Sequence, residues 1–255
     1  MVIFNNNHLT FSPGMLPSLP WWYRQNQYWV ISTVEGPNYK RLGEFHASYN
    51  GKFNVTLTGQ YNSNYRADMN FRVIRRQKPT SPINYAANKT KGAFVYISHC
   101  DTKGYDRIAA VKELAKYTQV DLWGACGDKP PCPKRPGGGS YSTPCEAELH
   151  KHYRFFLAFE NQLCSSYITE KFWQRLESGS YFIPVALGTL SVNEYERVAP
   201  PDSFLHVYNF TDFKQLGESE LNTSTWVNRN PKHSMVEKPI KVLQSYFSRK
   251  VANCP

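Results

Sequence analysis

Apolar positions along this chain fall into short runs punctuated by turn residues, and the spacing of those runs differs between its two parts. Residues 28–34 (YWVISTV) are apolar and β-branched, as suits a buried strand, and they stop at the turn signal Glu35-Gly36-Pro37. Residues 53–58 (FNVTLT) alternate Phe, Val and Leu with Asn and Thr, which predicts a half-buried strand. Residues 1–26 are rich in Pro and Asn and read as loop with short strands. Residues 77–92 (QKPTSPINYAANKTKG) carry turn residues without apolar period and read as an interdomain linker.

Beyond the linker the rhythm changes. Residues 93–98 are a short apolar run. A loop follows, then a helical pattern over 107–117 with Ile108, Val111, Leu114 and Ala115 on one face, then a strand at 120–123. The order repeats with a strand at 155–159, a loop, a helix at about 169–176, Gly179 and a strand at 182–186. Strand, helix, strand twice over predicts βαβ units, an α/β class and a mostly parallel sheet. Between the two units, residues 127–145 (GDKPPCPKRPGGGSYSTPC) read as a surface loop. Residues 234–250 read as an amphipathic helix with Val242, Leu243, Tyr246 and Phe247 inward.

Composition narrows the classes. With 255 residues and 6 Trp, 17 Tyr and 15 Phe, the chain can bury one large core or two modest ones. No apolar run approaches the roughly 20 residues of a membrane helix. No signal-peptide pattern opens the chain, because Asn5, Asn6, Asn7 and His8 interrupt it. The net charge is +10, but the basic residues are scattered and the longest cluster is Arg75-Arg76. That pattern argues against a nucleic-acid partner and suits a ligand carrying phosphates. Six Cys occur without a C-x-x-C pair, so a zinc ribbon is not expected, and an even count suits disulfides of open connectivity. Four N-x-S/T sequons, at Asn54, Asn88, Asn209 and Asn222, point the same way, toward the secretory pathway.

Candidate chemistry concentrates in residues 155–173, FFLAFENQLCSSYITEKFW. A strand ends at Glu160-Asn161, at the carboxyl edge of the expected sheet, where open α/β sheets bind ligands. Eight residues on, Thr169 can cap a helix whose free N–H groups favour an anion such as phosphate, and Lys171 adds a full charge. Glu170 suits hydroxyls or a cationic centre, and Tyr167 stands nearby. A nucleotide-sugar satisfies both demands. Each residue also has a bland alternative: Glu160 a buried ion pair, Glu170 an ordinary first-turn acid, Lys171 a solvated lysine, Asn161 a turn residue.

This stretch resembles the signature of the α1,3-fucosyltransferases, glycosyltransferase family 10: an apolar strand, Phe-Glu-Asn, a short gap, then Tyr, a β-branched residue and Thr-Glu-Lys. The resemblance extends to WVISTVEGP at 29–37, FNVTLT at 53–58, Ser98-His99-Cys100 through Arg107, VDLWGACG at 120–127 and IPVALG at 183–188. It implies a GT-B-like fold, two Rossmann-type domains facing a cleft, with the N-terminal one incomplete here. The expected divisions are 1–76 (acceptor side), 77–92 (linker), 93–233 (GDP-fucose binding) and 234–255 (C-terminal helix and tail).

The resemblance also implies roles. Glu35 is the general base that takes the acceptor hydroxyl proton. Arg107 and Lys171 meet the diphosphate of GDP-fucose. Glu170 contacts fucose and stabilises the oxocarbenium-like transition state, and Asn161 and Tyr167 line the donor. The implied reaction is inverting transfer of L-fucose from GDP-β-L-fucose to the 3-OH of GlcNAc in a glycoprotein or glycolipid glycan. No Asp-x-Asp occurs, in keeping with metal-independent transfer without a cofactor. The implied parent is a type II membrane protein of the Golgi lumen whose anchor this chain lacks.

The chain departs from the family pattern in three places. Gly59-Gln60-Tyr61-Asn62-Ser63-Asn64 stands where the family has Tyr-Arg-Arg-Asp-Ser-Asp, His99 stands where it has Asn, and the chain starts inside the acceptor-side domain. The neutral 59–64 segment leaves two alternatives, a catalytically impaired family member or a non-enzymatic glycan-binding module.

Overall fold

The computed structural model describes residues 1–5, 25–36, 51–60, 63–66, 89–100, 105–128, 132, 144–177, 182–189, 191–199 and 203–221. Two parallel sheets organise them. The first runs β1 (Val2–Asn5), β2 (Trp29–Thr33), β3 (Val55–Thr58) and β4 (Tyr65–Arg66) in that spatial order. The second has the order β6 (Val120–Trp123), β5 (Lys91–Tyr96), β7 (Tyr153–Phe159), β8 (Ile183–Leu187) and β9 (Leu205–His206). Every strand pairing in both is parallel.

The second sheet is buried on both faces, which is why its strands read as continuous apolar runs rather than alternating ones. Ala93, Val95, Phe155, Leu157, Phe159, Val185 and Leu187 pack on one face with α1 (Arg107–Leu114), which contributes Ala110, Val111 and Leu114. Phe94, Phe156, Ala158 and Ala186 pack on the other with Phe172 of α3 (Glu170–Glu177) and Tyr195 of α4 (Val192–Glu196). Helices on opposite faces of one parallel sheet make this half doubly wound.

Capping follows the sequence. Asp106 Oδ1 accepts from Ala109 N at 2.9 Å and so starts α1. Thr169 Oγ1 accepts from Lys171 N at 3.4 Å at the head of α3. The expected strand at 93–98 lies at Lys91–Tyr96, because β5 pairs from Lys91 with Tyr153. The expected helix at 107–117 closes at Leu114, with a turn through Tyr117. The expected loop at 127–145 ends in a helix, α2 (Pro144–His150), whose first residue is a proline, a favoured N1 residue. Residues 77–88 of the expected linker and the expected helix at 234–250 lie outside the described residues.

Disulfides join Cys100 to Cys126 and Cys132 to Cys145, and Cys164 is also disulfide-bonded. The first ties the segment after β5 to the segment after β6, beside the carboxyl edge of the sheet. Among the described residues no helix is long and apolar enough to cross a membrane.

Candidate active site

The site is assembled at the carboxyl ends of strands from both sheets. Glu35 follows β2, Gln60 follows β3, His99 follows β5, and Glu160 and Asn161 follow β7. The six residues singled out in sequence, Glu35, Arg107, Asn161, Tyr167, Glu170 and Lys171, are brought into one neighbourhood.

Glu160 organises it. Its side chain is fully buried, and Oε1 accepts from Thr169 N at 2.7 Å while Oε2 accepts from Thr169 Oγ1 at 2.6 Å. Lys171 Nζ pairs with Oε2 at 3.2 Å. The Glu160 carbonyl accepts from Tyr105 Oη at 2.6 Å. Burial pushes the Glu160 carboxyl above its ordinary value, and the Lys171 ammonium and the Thr169 donors draw it partly back. The bland reading of Glu160 as a buried ion pair is therefore correct. That ion pair is also what fixes Lys171.

Lys171 Nζ donates to Thr169 Oγ1 at 2.9 Å and to Glu170 Oε1 at 3.1 Å, and its side chain keeps 27% exposure. Burial pulls its ammonium down, but the charges of Glu160 and Glu170 outweigh that and hold it above its usual value. Burial likewise pushes Glu170 up, and Lys171 with its hydrogen bonds brings that carboxyl below its ordinary range. Lys171 thus stays cationic and Glu170 anionic, side by side at the head of α3.

Arg107, the first residue of α1, is only 4% exposed. It donates through Nη2 to the His99 carbonyl at 3.1 Å, and its buried Nε has no partner among the described residues. The His99 backbone carbonyl makes this contact, so it does not depend on the side chain at that position. Burial lowers the Arg107 guanidinium, and Tyr105, Glu160 and Tyr167 act against that.

The signature loop is held at every turn. Glu194 accepts from Ser165 Oγ at 2.7 Å and from Ser166 N at 2.8 Å. Those bonds hold Ser166 at φ 62°, a left-handed conformation uncommon outside glycine. Tyr167 Oη donates to Asn161 Oδ1 at 3.1 Å.

The first sheet meets this loop directly. Gln60 forms an antiparallel backbone bridge with Tyr167, and its Nε2 donates to the Ser165 carbonyl at 3.3 Å. Gly36 lies so close to Gln162 that a Cβ there would stand 2.5 Å from Oε1 of that side chain. Glu35, one residue earlier, lies within electrostatic reach of Lys171, Glu170 and Asn161. Burial pushes the Glu35 carboxyl up and Glu170 adds to this, while Lys171, Asn161 and His99 draw it partly back. The neutral 59–64 segment, a departure in sequence, thus supplies the contact with the signature loop.

Tyr105, Gln60 and Gly188 were not singled out in sequence. Tyr105 carried a faint signal, an aromatic two residues ahead of the expected α1. Gln60 acts through a backbone bridge and one amide donation, and neither left a signal in the sequence.

The family model for the C-terminal part of glycosyltransferase family 10 (fucosyltransferase) matches residues 86–225, more than half of the chain. The chain belongs to glycosyltransferase family 10. Among curated relatives, this family-10 chain is 37% identical over 142 residues to the glycoprotein 3-alpha-L-fucosyltransferase A of Drosophila melanogaster, covering 56% of this chain and 26% of that protein. It is 28% identical over 200 residues to the alpha-(1,3)-fucosyltransferase fut-1 of Caenorhabditis elegans, covering 76% and 43%. It is 32% identical over 224 residues to alpha-(1,3)-fucosyltransferase 7 of Mus musculus, covering 84% and 50%. The chain thus spans about half or less of each of these relatives. A crystal structure of an α1,3-fucosyltransferase with GDP-fucose matches with a TM-score of 0.40 at 21% identity, over 63% of this chain and 47% of that one.

Proposed function

We propose that this chain carries the GDP-fucose-binding half and part of the acceptor-binding half of an inverting α1,3-fucosyltransferase with a GT-B-like fold. The observation that carries the reading is the position of Glu35. It follows a strand of the first sheet, yet it lies within the field of Lys171 and Glu170 of the signature stretch.

In this reading the diphosphate of GDP-β-L-fucose meets Lys171, the N-terminus of α3 and Arg107, whose buried Nε has no acceptor among the described residues. Glu170 faces the sugar, where its negative charge stabilises the oxocarbenium-like carbon. Glu35, made more basic by burial, accepts the proton of the GlcNAc 3-OH. The new bond forms between that oxygen and the anomeric carbon. The bond from that carbon to the phosphate oxygen breaks, and GDP leaves with the electron pair. Cations at fixed positions stabilise that charge without further reorganisation, so no metal or cofactor is required.

Exposed sequon asparagines at Asn54 and Asn209, together with the disulfides, support an oxidising compartment, proposed as the Golgi lumen. The division into acceptor-side, linker, donor-side and C-terminal segments at 1–76, 77–92, 93–233 and 234–255 is proposed with it.

The test is Glu35→Gln. Loss of a general base lowers kcat by about 10²–10⁴-fold. GDP-fucose affinity is expected to stay within about twofold, since Glu35 serves the acceptor. Transfer at the wild-type rate would remove Glu35 from the mechanism.

A further inference from the structure

Cys164, Ser165, Ser166 and Tyr167 form a tight turn in the signature loop, closed by Tyr167 N donating to the Cys164 carbonyl at 3.2 Å. Its third residue, Ser166, holds φ at 62°, the left-handed region that such turns usually give to glycine or asparagine. Ser166 is buried and carries a Cβ, so this conformation is costly and needs a hold from outside the turn. Glu194 supplies it. One carboxylate oxygen accepts from Ser165 Oγ at 2.7 Å and the other from Ser166 N at 2.8 Å, so a single side chain grips both central residues of the turn.

Glu194 is well anchored itself. Its neighbour in α4, Tyr195, is fully buried against Phe172 of α3, with ring centroids 5.0 Å apart. The bend ahead of α4 is closed by Thr189 Oγ1, which donates to the Ser191 carbonyl at 2.8 Å. The grip therefore ties the turn to the helices on the second sheet.

The other side of the same turn meets the first sheet. The Ser165 carbonyl accepts from Gln60 Nε2 at 3.3 Å, and the Tyr167 backbone bridges Gln60. Ser165 is thus held twice, its hydroxyl by Glu194 and its carbonyl by Gln60. Next to Gln60, Gly59 N donates at 3.1 Å to the carbonyl of Thr33, the last residue of β2 and close before Glu35. The donor-side groups hang on separate supports. Lys171 and Glu170 follow Thr169, which Glu160 holds, and Arg107 rests on the His99 carbonyl.

We propose that Glu194 is a positioning residue for the acceptor side. By holding the turn at Ser166 in its left-handed form, it seats the ends of β2 and β3, and Glu35 with them, against the donor side. The inference rests on the reading of Glu35 as the base.

The experiment compares wild type with Glu194→Ala, Glu194→Gln and the double variant Glu194→Ala with Ser166→Gly. It reads kcat for transfer, GDP-fucose affinity by calorimetry, and amide hydrogen exchange over residues 57–60 by mass spectrometry. In Glu194→Ala kcat is expected to fall about fivefold or more, the population lost when a left-handed serine has no partner. Exchange over 57–60 quickens by about the same factor, as local opening becomes easier. GDP-fucose affinity stays within about twofold, because the Glu160 lock is untouched. Adding Ser166→Gly returns kcat and exchange to within about threefold of wild type, since glycine takes this φ unaided. A role of Glu194 confined to the packing of α4 would not answer to a change at position 166. Glu194→Gln keeps one acceptor oxygen and moves the readings the same way by less. It decides the matter if Glu194→Ala does not fold. Unmoved kcat or unmoved exchange in a folded variant overturns the inference. So does failure of Ser166→Gly to rescue, or a loss of GDP-fucose affinity as large as the loss of kcat. Full transfer by Glu35→Gln, with the exchange response and its rescue still present, would remove the base and leave the seating by Glu194 standing.

Discussion

Glu160 and Thr169 are joined twice. One carboxylate oxygen takes the Thr169 backbone N–H at 2.7 Å and the other takes its hydroxyl at 2.6 Å. The first residue after β7 is thereby locked to the residue that opens α3, and the loop between them is closed into a fixed ring. Lys171 and Glu170 owe their positions to this lock, since both follow Thr169 directly.

Replacing Glu160 by Gln should therefore harm both stability and donor binding. Thr169 N and Thr169 Oγ1 donate to this carboxylate and Lys171 Nζ pairs with it, and an amide offers only one oxygen, no charge, and turns a donor toward one of them. The expected cost is about 3 kcal/mol, at the low end for breaking a buried pair because Lys171 retains contact with solvent. Urea denaturation reads the cost. An unchanged denaturation midpoint would show that the lock is not structural.

The pH dependence of transfer follows from the sign of the Glu35 shift. A base works only when deprotonated, so kcat/KM falls as pH drops through its pKa. Burial raises that pKa, so the acid limb should lie above the ordinary carboxylate range near about 4.3. Glu170 adds to the rise, so in Glu170→Gln the residual activity should show the limb moved to lower pH. A limb that moves upward in that variant would contradict the arrangement.

Gly188 has its own consequence. A Cβ there would stand 2.5 Å from Glu160 Cγ and 2.8 Å from Tyr195 Oη, both on fully buried side chains. Neither can retreat without disturbing the lock or the core beneath it. Gly188→Ala should destabilise by about 1–3 kcal/mol, the usual cost of overpacking, and weaken donor binding. Thermal denaturation with and without GDP-fucose checks both effects. Wild-type stability with undiminished stabilisation by donor would mean that β8 yields at its end.

Much of this arrangement was legible in the residues themselves. The strands of the second sheet are buried on both faces, so they appear as unbroken apolar runs such as residues 155–159 and 183–187. The candidate residues were legible because the chemistry needs charged and amide groups at the strand end and the helix head. What escaped notice is short or depends on tertiary contact. β4 and β9 are two residues each, below any periodicity. The start of α2 at Pro144 was hidden in a stretch dominated by Pro and Gly, although proline at N1 was its signal. Glu160 could be read equally as structural or chemical until its burial was known. The Gln60 bridge is made by backbone, which leaves no trace in residue type.

The most direct test of the account is a calorimetric titration of the chain with GDP-fucose in EDTA, with circular dichroism to establish folding. Saturable one-to-one binding is expected, weakened about tenfold or more in Lys171→Ala, since a charge-assisted contact to phosphate is lost. Absence of binding by the folded chain, binding only with added divalent metal, or wild-type affinity in Lys171→Ala would contradict it.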